Sequence, residues 1–156
     1  MKLDILTDPN HDLRLRSEEI NKKELAKDET QTLIDNMIET MKSADGVGLA
    51  APQIGVHKKI IIVETKSGPE VFINPRITSR SLWHVTSEEG CLSIPGVYGQ
   101  VKRNKKVTVK ALDRHGHKIR RKVSGMEAII FQHEIDHLNG ILFIDRVINF
   151  TNPPKL

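Results

Sequence analysis

The segment His133-Glu134-Ile135-Asp136-His137 restricts this chain more than any other, because its pattern has meaning only on a helix that the rest of the fold closes around. Ahead of it, Ser124-Gly125-Met126-Glu127 reads as a capping box, with Ser124 bonding the amide of Glu127 and Glu127 reaching back. A helix is therefore predicted from about Gly125 to Asn139, stopping at Gly140. A spacing of four is about one helical turn, so both imidazoles point the same way and can take adjacent corners of one metal tetrahedron. Glu134 is rotated off that face but stays near enough to address a water on the metal. The plainer alternative is a pair of histidines satisfied by hydrogen bonds in the core, although His is uncommon as a fully buried residue.

Two histidines do not hold a catalytic metal; a third protein ligand is needed, with a fourth position left for water. In metzincin-type proteases the third ligand lies six residues beyond the second histidine, where this chain has Phe143, which cannot coordinate. No Glu follows Glu134, and the one downstream carboxylate, Asp145, is too near the helix end to fold back easily. The missing ligand is therefore expected upstream. Cys91, in Glu88-Glu89-Gly90-Cys91-Leu92-Ser93-Ile94-Pro95-Gly96, is the best candidate. A lone cysteine is often just a small buried hydrophobe. Beside an incomplete metal site, its thiolate becomes a strong donor to a borderline or soft divalent ion. Gly90 next to it would let a ligand or substrate backbone approach closely.

Around these residues the chain reads as one soluble α+β domain spanning residues 1–156. Between Glu24 and Ala44, Leu33, Ile34, Met37, Ile38 and Met41 recur with helical spacing, and Gly46 ends that helix. Short β-branched runs follow at Lys59 to Thr65, Glu70 to Asn74 and Ile77 to Val85, separated by Gly68-Pro69 and by Pro75, which predicts antiparallel strands. Val107 to Leu112 and Lys118 to Val123 flank Asp113-Arg114-His115-Gly116 as a hairpin. The expected architecture is antiparallel β-sheets packed around a central metal-binding helix.

A single cysteine cannot form an internal disulfide, no apolar run approaches the roughly 20 residues of a membrane span, and the N-terminus lacks the cleavage site of a secretory signal. A cytoplasmic protein with no membrane attachment is expected, with a compact monomer as the default. Residues 102–122 hold ten Lys and Arg against the single acid Asp113, so the net charge of +4 conceals one basic segment on a mildly acidic body. Such a segment is read first as the solvated outward face of the hairpin, and otherwise as a patch steering toward a polyanion. No aromatic interleaves these charges, so base stacking has no platform within the segment.

Gly46-Val47-Gly48-Leu49-Ala50-Ala51-Pro52-Gln53 invites a dinucleotide reading through its G-x-G-x-x-A pattern. Context rejects it, because a helix precedes the glycines while Pro52 and Gly55 interrupt the chain beyond them. A turn is expected there. Gln53 at its end can aim a neutral amide at a developing oxyanion.

Taken together, the Gly46–Gln53, Glu89–Ser93 and Gln132–His137 segments resemble the peptide deformylase family, in its motif order and at its usual separations. Asp12-Leu13-Arg14 and Pro95-Gly96-Val97-Tyr98 add to a resemblance running from about Ile5 to Arg146. It implies hydrolytic removal of the formyl group from the N-terminal methionine of new polypeptides, releasing formate. The metal would be held by Cys91, His133 and His137, and would be iron(II) physiologically, with zinc, nickel or cobalt able to take its place; the donor chemistry alone would favour zinc. Glu134 would be general base for a metal-bound hydroxide, with Gln53 and the Leu92 backbone N–H meeting the oxyanion. The main chains of Val47 and Gly90 would pair with an extended peptide, and Gly48 would belong to the same substrate surface.

Ile129 and Ile130, one turn before His133, are placed to line a methionine slot, with Val47 and Tyr98 at its edges. Ordinary core packing is the alternative for each. Asn152-Pro153-Pro154 leaves the tail after Arg146 too short and proline-broken for the C-terminal helix that many bacterial members use at the ribosome. Weak ribosome association through residues 102–122 is the substitute considered. Two rival functions stay open here: a minimal peptidase indifferent to Cys91, and a basic RNA-binding domain with a structural metal.

Overall fold

The computed structural model describes residues 1–155. Its elements in chain order are α1 (Lys22–Leu25), α2 (Asp28–Ser43), β1 (Gly48–Ala50), β2 (Ile60–Thr65), β3 (Gly68–Arg80), β4 (His84–Cys91), β5 (Ile94–Asn104), β6 (Lys106–Leu112), β7 (Lys118–Ser124), α3 (Gly125–Leu138) and β8 (Val147–Asn152). The strands form an antiparallel five-stranded sheet, β1-β2-β3-β6-β7, and a three-stranded sheet, β4-β5-β8. This is the expected α+β arrangement, with α3 packed against strands of both sheets.

Burial explains why the larger sheet has helices on both sides. Ile60 and Ile62 point one way along β2, toward Ile34, Met37 and Met41 of α2. Ile61 and Val63 point the other way, into a core with Phe72, Val109 and Phe131 of α3. A strand covered on both faces reads as an unbroken apolar run, which is how Ile60-Ile61-Ile62-Val63 appears in the sequence. A third cluster, including Leu13, Val101, Leu142 and Phe143, lies under the smaller sheet.

Several boundaries differ from the sequence reading. The Gly46–Gln53 segment is not simply a turn: Gly48, Leu49 and Ala50 form an edge strand paired with Val63, Ile62 and Ile61. The stretch beyond Gly68 is one strand rather than two. Pro69 lies at its start, and Pro75 falls in the register shift between Ile73 and Arg76, where the ladder does not require its missing N–H. Ile77 to Val85 is divided by a turn at Ser81-Leu82-Trp83. The capping box does not form: Ser124 is the N-cap but makes no side-chain cap bond, and the Gly125 N–H instead donates to the Lys105 carbonyl at 3.2 Å. At the far end Gly140 has φ +73°, as a helix-terminating glycine does.

The sequence reading expects more than one sheet but does not mark β4 and β5 as strands, because their Gly, Pro and acidic residues leave no clean apolar alternation. The proline-broken tail supplies the third strand of the smaller sheet, with Gln100 paired to Asn149. Nor is residues 102–122 one solvated hairpin. Arg103 belongs to β5 and is buried, while Arg114 and Arg121 are paired with Asp35 and Glu70. No helix among the described residues is long and apolar enough to cross a membrane.

Candidate active site and metal centre

Helix α3 carries His133 and His137 on one side, their rings 5.1 Å apart between centroids and steeply inclined at 64°. Cys91 reaches them from the end of β4, where a register shift between Glu89 and Cys91 tightens the hairpin into β5. Cys91 Sγ lies 3.4 Å from His137 Nε2. One donor atom from each of Cys91, His133 and His137 falls within 4.8 Å of the others. Residues separated in the chain by more than forty positions are thus brought to one point by the packing of α3 against the smaller sheet.

One of the two histidines is oriented from behind, whereas the buried Nδ1 of His137 has no hydrogen-bond partner among the described residues. His133 Nδ1 is 2.9 Å from Glu89 Oε1, which leaves its Nε2 toward the other donors. Glu89 is gripped by both arms of the Arg103 guanidinium, at 2.8 and 2.9 Å, and Arg103 also donates to Asp136 at 2.6 Å. Arg146 closes the network on Asp136 at 2.7 and 3.0 Å. Burial works to raise the Glu89 pKa, but hydrogen bonds from Arg103 and His133 hold it down at about 2. Burial likewise opposes charge on His133, yet its contacts with Cys91 and Glu89 lift its pKa to about 10.

Glu134 is buried, with Oε1 4.0 Å from His133 Nε2 and Oε2 making no hydrogen bond to the protein. Burial pushes its pKa up to about 7, the range in which a carboxylate both takes and returns protons readily. Burial depresses the His137 pKa well below its ordinary value, which favours the neutral imidazole that ligates metals. A thiol, two converging imidazoles and an unpartnered carboxylate oxygen fit a first-row divalent ion with an open position.

Gln53, only 2% exposed, is clamped at both ends. Its Oε1 accepts the Ala50 N–H at 2.9 Å, and its Nε2 donates to Ser93 Oγ at 3.0 Å and to Cys91 Sγ at 3.6 Å. The amide nitrogen is thereby turned to the metal corner. Leu92 follows Cys91 at the hairpin turn and lines the same cavity of about 640 Å³. Ile129 and Ile130 form part of its buried wall, and Val47 and Tyr98 stand exposed at its rim. Ile130 lines the cavity and also belongs to the central core.

The two glycines of the site have steric reasons. A Cβ on Gly48 would lie 2.6 Å from Glu134 Oε1, and a Cβ on Gly90 would meet the Tyr98 ring at 2.5 Å. Phe143, at the rejected ligand position, stacks on His133 with centroids 6.1 Å apart. Asp145 is held by Arg14 at 2.5 Å and takes no part in the cluster. The sequence reading missed Glu89, Arg103, Asp136 and Ser93 as residues that orient the site. Two carried a signal, since Asp136 lies inside the helical motif and Glu89 two positions before the cysteine, but nothing linear pairs them with Arg103.

A family model described as polypeptide deformylase matches residues 2–152. The chain is 56% identical over 121 residues to a peptide deformylase of Halothermothrix orenii, covering 76% of this chain and 78% of that one. It is 47% identical over 150 residues to that of Thermodesulfovibrio yellowstonii, covering 93% and 88%. Among solved structures, a class I type b peptide deformylase from Acinetobacter baumannii superposes with a TM-score of 0.91 at 39% identity, over 94% of this chain and 99% of that one. The peptide deformylase from Thermotoga maritima gives 0.90 at 37% identity, over 94% and 98%. A fold, a cysteine–histidine cluster and a whole-chain match thus agree, and the chain belongs to the peptide deformylase family.

Proposed function

We propose that residues 1–156 form one catalytic domain that removes the formyl group from the N-terminal methionine of nascent polypeptides in the cytoplasm, using a divalent ion held by Cys91, His133 and His137. The observation that carries this reading is the meeting of those three donors within 4.8 Å beside the buried, unpartnered carboxylate of Glu134. Family membership favours iron(II), and the same donors accept zinc, nickel or cobalt. When bound, the ion supplies Lewis acidity, acidifying a water and polarising the formyl carbonyl.

The chain's own residues do the rest. Glu134 takes the proton of the attacking water and returns it to the departing amine. The Gln53 amide and the Leu92 N–H meet the negative charge on the former carbonyl oxygen, each such donor being worth about 10²–10³ in turnover. The main chains of Val47, Gly48 and Gly90 align the peptide, which adds to the open edge of β1 as a further strand. Ile129 and Ile130 receive the methionine side chain, with Val47 and Tyr98 at the entrance.

Formate release from a formyl-methionyl tripeptide, measured after anaerobic iron loading, tests this directly. Wild type is expected to release formate, with loss on chelation and in Cys91→Ala. Cleavage of an internal peptide bond instead, undiminished in Cys91→Ala, would establish the peptidase reading.

Gly48→Ala is expected to reduce kcat by about 10²-fold, the effect of a misplacement near 1 Å, because the new methyl displaces the Glu134 carboxylate. The melting temperature should move far less. A kcat equal to wild type would show that Glu134 does not need its present position.

A further inference from the structure

The two faces of the five-stranded sheet are covered unequally. Helix α3 packs against one face from β1 to β7, whereas α2 covers the other face only over β1, β2 and the first part of β3. On β6, Val107 and Val109 point into the α3 core, so Lys106 and Lys110 point outward from the uncovered part. Register extends this into rows: Arg76 lies opposite Lys110, which lies opposite Arg120, while Thr108 is flanked by Ser79 and Lys122. Arg76, Lys106, Lys110, Arg120 and Lys122 are all exposed and share this face. The ion pairs of this region are made by Arg103, Arg114 and Arg121 instead, and among the described residues none engages the five. Like charges directly opposed across strands oppose folding, so the sheet keeps a repulsion that a polyanion would relieve.

A second feature adjoins the first. The turn after β3 is tied to the start of β6, with the Ser81 N–H donating to the Lys106 carbonyl at 2.9 Å and the Lys105 N–H to the Trp83 carbonyl at 2.9 Å. This sets Trp83, 77% exposed, beside the cationic rows. Among the rows lies a recess of about 460 Å³ whose lining includes Arg80, Lys106 and Lys122 with the hydroxyl-bearing Ser79, Ser81 and Ser124. The sequence offered no aromatic within the basic segment; the tertiary structure brings one from outside it.

The geometry points to a docking surface for single-stranded nucleic acid on the outer face of β3, β6 and β7, with phosphates on the cationic rows and a base stacked on Trp83. Cations spread in rows over a hydroxyl-lined sheet face match a repeating phosphate backbone. A lipid surface would call for a broader apolar tip than Leu82 and Trp83 provide. The surface lies outside the residues lining the metal cavity, so it stands or falls independently of the reaction.

Binding of the full chain to a labelled single-stranded RNA and to DNA of the same sequence, followed by anisotropy across a salt series, tests the proposal. Affinity should fall with salt, and replacing Lys106, Lys110 and Lys122 together by Gln should reduce the magnitude of the log–log slope by about 2. Trp83→Ala should weaken binding about 5- to 150-fold. Both variants should keep formyl-peptide hydrolysis, and the triple Gln variant should melt no lower than wild type because it relieves the cross-strand repulsion. Binding of either oligonucleotide with these losses supports the surface, and a preference between them identifies the sugar it reads. Absence of binding at low salt, binding indifferent to the substitutions, or association with phosphatidylserine vesicles but neither oligonucleotide would overturn it.

Discussion

Glu134→Gln is expected to lower the rate of formate release by about 10³-fold while leaving bound metal and melting temperature close to wild type. The amide has nearly the shape of the carboxylate, so packing against Gly48 and His133 is preserved. What is lost is the ability to take a proton from water and hand it to the leaving amine. Burial already pushes the Glu134 pKa up to about 7, so the group is held between its two protonation states rather than fixed as an anion. A general base in such a position contributes about 10²–10⁴-fold. Stopped-time formate measurements alongside metal analysis separate this from metal loss. Activity within a few-fold of wild type in the metal-replete variant would remove Glu134 from the proton-transfer role.

Arg103→Met should produce the largest change in stability. Arg103 and Glu89 are 4% and 5% exposed at their side chains, and Arg103 also serves Asp136. Removing one member of a buried ionic network leaves its partners charged and unpaired, which costs about 3–5 kcal/mol. For a domain near this size that is a fall of roughly 6–20 °C in Tm. The carboxylate that orients His133 is released at the same time, so metal affinity should drop about 10- to 100-fold. The double variant Arg103→Met with Glu89→Leu distinguishes the effects. It should regain part of the stability, because no lone charge faces His133, but not the affinity, because the imidazole has lost its carboxylate. Thermal melting and competition with a chelator read the two separately. An affinity restored together with stability would mean that Glu89 has only a packing role.

Much of the site was legible because its chemistry is local. The spacing of His133 and His137 has one structural consequence on a helix, and the exclusion of Phe143 and Asp145 left Cys91 as the upstream donor. The helix from Asp28 to Ser43 and the β6–β7 hairpin were legible for the same reason, since apolar periodicity and turn chemistry act over a few residues. The smaller sheet was not, because Glu89 and Arg103 look like surface charges until β4 and β5 pair and bury them against each other. The capping box failed for a related reason. Ser124 ends β7, and the strand's own pairing, rather than a side-chain bond to Glu127, starts the helix.

Residue order alone singled out Cys91, His133, His137 and Glu134 as the candidates for the chemistry, since ligand type, spacing on a helix and the elimination of alternatives are properties of the chain taken linearly. Packing decided how those side chains are held: Glu89 behind His133, Gln53 clamped between Ala50 and Ser93, and Gly48 giving way to Glu134. It also decided which cations stay free, burying Arg103 while leaving Lys106, Lys110 and Lys122 on an open face beside Trp83. The reason is that a charge's role depends on what faces it across a sheet or a core, and those neighbours come from distant parts of the chain.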